Sequence, residues 1–164
     1  MRLSIFSRLF PLVLFFFPGP LFAEVFQPYT QEVLAARHTQ DCSTEELIPA
    51  TEILGAVYIC TFGSEKTAKW FVSEQPQTGK VLSIGLIWVD WQIDTGYGIR
   101  ADWQEVERVL DALIARYVPS RGNDLRKAFW DSENANFTTS NFVIYYVCKP
   151  SSDKEERIIV IQEK

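Results

Sequence analysis

One histidine, one methionine and three cysteines in 164 residues, with 16 basic side chains against 21 acidic ones, leave little material for several kinds of chemistry. A tetrahedral zinc site needs four donors. His38 and Cys42, four residues apart, would supply half of one from a helix face, and no second His or Cys cluster completes the set. The acids do not follow the D-x-D-x-D-G spacing of a calcium loop, and no G-x-S-x-G, H-E-x-x-H, Walker loop or dinucleotide fingerprint occurs. Neither a metal nor a cofactor is expected. A net charge of −5 argues against nucleic acid, whose binding rests on neutralising phosphates with Lys and Arg. Three cysteines are too few for a disulfide-dense mini-protein. Past residue 23, no apolar run approaches the about 20 residues of a bilayer span.

The first 23 residues differ from the rest. Arg2 and Arg8 form a basic start, residues 9–17 are apolar apart from Pro11, Pro18-Gly19-Pro20 breaks the helix, and Leu21-Phe22-Ala23 ends on a small residue. That order predicts a signal peptide over 1–23, cleaved before Glu24, and a single globular domain over 24–164. Glu24 stands where a lipoprotein would carry cysteine, so the mature chain is expected to be periplasmic or secreted, with no membrane insertion after cleavage. The leader holds two arginines and no acid, so its removal moves the net charge from −5 to −7. An acidic surface of this kind suits a basic partner.

In an oxidising compartment Cys42, Cys60 and Cys148 are expected to yield one disulfide and one leftover thiol. Pairing Cys42 with Cys60 closes a short loop, which on the chain-entropy model is worth roughly 3 kcal/mol. The rival pair, Cys60 with Cys148, requires their two strands to be neighbours, which sequence does not establish. Cys42–Cys60 is preferred.

Hydrophobic periodicity gives an α+β chain, antiparallel sheet meanders with helices packed on them. A helix is expected over 28–38. Ser43 followed by Glu46 has the spacing of a capping box, and so suggests a helical turn that Pro49 limits. Residues 57–62 and 67–72 read as a hairpin about Gly63-Ser64-Glu65-Lys66. Residues 81–91, VLSIGLIWVDW, have so few polar positions that they read as a strand covered on both faces. The clearest helix is capped by Asp102 and carries the stripe Val106, Val109, Leu110, Leu113, Ile114 and Tyr117, ending at Pro119. Strands are then expected over 125–130, 137–148 and 157–161. Laid end to end this is an αβββ-αβββ order, which invites the idea of an internal duplication, although the two halves share little beyond that order.

Trp88, Asp90, Trp91, Asp94, Tyr97, Asp102 and Trp103 crowd into sixteen positions around the loop 92–100. Aromatic faces beside carboxylates are used by carbohydrate sites and enriched at protein interfaces, yet Trp88 and Trp91 alternate on one strand, so one of them belongs to the core. The Asp94-Thr95-Gly96 triplet matches aspartic proteases, but it occurs once and Tyr97 stands where those enzymes have Ala or Ser. It reads as a glycine turn. No complete catalytic set is present, so a non-enzymatic binding or inhibitory protein is expected, immunity-like in its acidity and engaging another protein. Its candidate binding residues are Trp88, Asp90, Asp94, Tyr97, Asp102 and Trp103. A carbohydrate-binding module, or a small hydrolase using Asp90, Asp94 or Asp102, is the alternative. The oligomeric state is left open by these patterns.

Overall fold

The computed structural model describes residues 25–39, 41–94 and 96–164. The expected leader, its cleavage point and Thr95 lie outside the described residues. Among the described residues, three helices pack on one seven-stranded antiparallel sheet. Helix α1 (Tyr29–Thr39) is followed by β1 (Thr44–Ile48), β2 (Val57–Phe62), β3 (Ala68–Glu74) and β4 (Val81–Trp91). Helix α2 (Trp103–Tyr117), a 3-10 turn (Pro119–Arg121) and α3 (Gly122–Asp131) come next, and β5 (Ala135–Thr138), β6 (Phe142–Pro150) and β7 (Lys154–Glu163) complete the chain. The strand order is β1-β2-β3-β4-β7-β6-β5, so two meanders meet where β4 pairs with β7. Among the described residues, no helix is long and apolar enough to cross a membrane.

The core lies between the helices and one sheet face. Alternation along each strand places Tyr58, Val72, Ile84, Ile161 and Ile144 in one cross-strand row, and Cys60, Trp70, Leu86, Ile159 and Tyr146 in the next; all ten are buried. The stripe expected on α2 is the stripe observed, with all six residues buried against these rows. Cys42 and Cys60 form the disulfide, with Cα atoms 5.3 Å apart, and Cys148 is free and buried. Burial pushes the Cys148 thiol above its ordinary range.

Three segments differ from expectation. The capping-box segment Ser43 to Glu46 is not helical: Thr44–Ile48 pairs with β2, and Ser43 Oγ donates to Gly63 O at 3.1 Å instead of capping a turn. Pairing along an available strand edge outweighs a local capping signature. Residues 125–130 belong to a helix, because Leu125, Ala128 and Phe129 fall at i, i+3 and i+4 and all three are buried. The long strand expected over 137–148 is two, β5 and β6, folded back on each other after Thr138. The element order therefore has four strands before α2 and three after α3, rather than αβββ twice.

Candidate functional site

The connection from β4 to α2 is held to the body of the fold at several points. Trp88 is fully buried on β4, and its indole Nε1 donates to Ala101 O at 3.0 Å. Asp102 sits at the start of α2 with left-handed backbone (φ 60°), and its carboxylate turns away from the helix. It reaches instead into the β2–β3 hairpin, accepting from Glu65 N at 3.0 Å, Thr67 N at 2.9 Å, Thr67 Oγ1 at 2.9 Å and Ser64 Oγ at 3.3 Å. Gly63 makes room: a Cβ there would lie 2.1 Å from the Asp102 carboxyl carbon. The side-chain cap expected of Asp102 is thus absent, because four donors in the hairpin outcompete the exposed amides of one helix end.

Asp90 is buried beside an equally buried cation. Its carboxylate lies 3.0 Å from Arg157 Nη2, a close charge contact without an aligned hydrogen bond, while the same Nη2 donates to Glu155 at 2.7 Å. Arg157 Nη1 also donates to Phe129 O, and the guanidinium lies over the rings of Trp88, Phe129 and Trp130. Burial pushes the Asp90 carboxyl above its ordinary range, and Arg157 and Arg100 oppose that shift. The sign of the linkage follows. A raised folded pKa makes Asp90 most favourable to the fold when protonated, and that contribution is lost as pH rises through the raised value. Asp90→Asn should therefore gain stability relative to the parent between pH 4 and pH 7, which paired thermal melts at the two pH values will check; a difference independent of pH would contradict it.

Above this base the loop presents its side chains. Asp94 Oδ1 accepts from Gly96 N at 2.9 Å and Gly98 N at 3.2 Å, and both glycines have positive φ, so a tight carboxylate-centred turn forms. That turn projects Tyr97, whose ring stacks on Trp91 with centroids 5.5 Å apart and an interplanar angle of 12°. Lys154 lies over the same Trp91 ring. Arg100 N donates to Trp91 O, and the Arg100 guanidinium lies 5.3 Å from the Trp130 ring centroid.

An open groove of about 600 Å³ runs beside this loop, lined by Ile99, Arg100, Trp103, Glu107 and Trp130. Trp103 is 45% exposed, Tyr97 48% and Ile99 61%. Three of the six candidate residues, Asp94, Tyr97 and Trp103, therefore face solvent, whereas Trp88, Asp90 and Asp102 are buried and hold the mount. Asp102, a candidate for binding, does not reach solvent. Ile99, Arg100, Glu107 and Trp130 were not singled out by sequence reasoning. Trp130 had no chance of being so while its segment read as a strand, but the helical spacing of Leu125 and Phe129 was the available signal. Among protein-family models, curated proteins and solved structures, none matches this chain.

Proposed function

We propose that this chain is an exported, non-enzymatic binding or inhibitory protein that engages another protein through the loop 92–103 and the groove beside it. The observation that carries the reading is the contrast within one short segment: Tyr97, Ile99 and Trp103 are exposed apolar side chains, and the residues beneath them are locked by buried hydrogen bonds. Aromatic anchors on a rigid mount are what a protein interface uses for affinity, since little side-chain or loop entropy is lost on binding. The acidity of the chain favours a basic partner, whose association would weaken with added salt. The disulfide fits export to an oxidising compartment.

A second reading draws on one feature. Trp103 stands at an open groove with Glu107 and Arg100, the pairing of indole face and polar edge that a sugar ring would meet. A hydrolase has less support, because Asp90 and Asp102 are buried and Asp94 is engaged by two backbone amides.

The test begins with affinity capture by the exported protein from its source cells, followed by titration with the purified captured protein. The double variant Asp94→Ala/Tyr97→Ala is expected to bind at least tenfold more weakly, about 1.4 kcal/mol, with a nearly unchanged melting temperature. Parent-like affinity in the variant would remove this loop as the site. Retention of the parent on peptidoglycan or polysaccharide, abolished by Trp103→Ala, would favour the carbohydrate reading instead.

A further inference from the structure

Strand β4 reads in sequence as covered on both faces, yet the three helices cover only one. On the other face the cross-strand rows are also largely apolar. One runs Ile59, Phe71, Gly85, Val160, Tyr145 through β2, β3, β4, β7 and β6, and the next carries Ile87, Ile158 and Val147. Antiparallel sheets with one wet face ordinarily alternate apolar with polar side chains; here β4, β7 and β6 do not. Gly85 keeps the centre flat, for the Phe71 ring lies over it, 2.5 Å from where a Cβ would stand. Tyr145 and Val147 are exposed at 40% and 37%.

We infer that this bare sheet face is the contact between two copies of the chain, packed sheet on sheet about a two-fold axis. Charge is the first argument. The chain carries −5 overall, so most pairs of surfaces on two copies repel each other. This face departs from that balance. Lys69, Lys149 and Lys154 share it with Glu46 and Glu156; Lys154 and Glu156 pair with each other at 3.6 Å, and Lys69, Lys149 and Glu46 still present both signs for self-complementary pairing. The same balance offers little to the basic partner proposed above, although the two surfaces adjoin at the end of β4, where Lys154 lies over the Trp91 ring that carries Tyr97. Lys69 lies nearest the centre and is exposed, and its long stem can carry the ammonium outward while the methylenes pack. Area is the second argument. Five strands at about 4.8 Å spacing, each contributing about 20 Å of length, give on the order of 500 Å² of projected face. Two such faces together bury on the order of 1,000 Å², the size at which a specific contact begins. Sheets stacked in this way separate by about 10 Å, the distance that interdigitated valine, isoleucine and tyrosine side chains fill.

Analytical ultracentrifugation of the full exported protein at about 50 μM tests the inference. The parent should sediment with about twice the chain mass, and its melting temperature should rise with protein concentration, as a dimer's does. Tyr145→Glu/Val147→Glu, placed at exposed positions so that the monomer's own core is untouched, should sediment with one chain mass and keep the far-ultraviolet circular dichroism of the parent. Should that variant fail to fold, Val147→Lys alone provides the same comparison, and the concentration dependence of the parent's melting stands without any variant. A parent that is monomeric at this concentration overturns the inference. So does a dimer that survives these charges on the outer face.

Discussion

Arg157→Met is expected to destabilise the fold by about 3 to 5 kcal/mol, among the largest effects available in this chain, because it leaves the fully buried Asp90 beside no cation of comparable proximity. The guanidinium makes several contacts that the methionine side chain cannot replace. It pairs with Asp90 and Glu155, donates to Phe129 O, and packs its flat face over Trp88. Glu155 is partly exposed and retains the Ser132 hydroxyl, which donates to it at 2.8 Å, so Asp90 bears most of the loss. The double variant Asp90→Asn/Arg157→Met should then recover a substantial part of the stability, since it removes the stranded charge along with its partner. Chemical denaturation of the parent, both single variants and the double variant closes this cycle. Additive effects of the two single changes would mean that the two side chains do not act as a pair.

Asp102→Ala is expected to cost about 3 kcal/mol, with two separable causes. The carboxylate accepts four hydrogen bonds from the β2–β3 hairpin, and its removal leaves Thr67 N buried without an acceptor. Alanine at φ 60° adds backbone strain of roughly 1 kcal/mol, which glycine would not suffer. Comparing Asp102→Gly with Asp102→Ala isolates that strain, and the larger remainder belongs to the hydrogen bonds. Asp102 is buried and does not line the groove. Even so, its loss should weaken partner binding along with stability, because the loop 92–101 is anchored to the hairpin through it. Unchanged denaturation midpoints in both variants would show that the hairpin holds the loop by other means.

These two residues also show where sequence stops being legible. The stripe on α2 was readable because six apolar residues at helical spacing have one economical burial, and β2 to β4 were readable from their aromatic and β-branched runs. The Cys42–Cys60 link was readable from loop length and compartment. Asp102 was not. Its place before an apolar helix is the place of a cap, and only the three-dimensional approach of Gly63 to Thr67 supplies better donors. Ser43 and Glu46 misled in the same way, a local signature overridden by pairing with a distant strand. Trp88, Asp90 and Trp103 illustrate the limit for the site itself. An aromatic and acidic cluster has the same composition whether it is core or surface, and what separates Trp88 from Trp103 is burial against Phe129 and Trp130, which lie in a helix that sequence placed in a strand.

The central claim, that recognition belongs to the loop 92–103 and its groove, is tested most directly by hydrogen exchange on the protein alone and saturated with its captured partner. Protection on binding is predicted at the amides of 96–101, through the first turn of α2 to Glu107, and at the end of α3 around Trp130, with the exchange of β1 and β2 unchanged. Protection confined to β1, to β6 or to the outer rows of the sheet, with the loop exchanging as it does in the free protein, would contradict it.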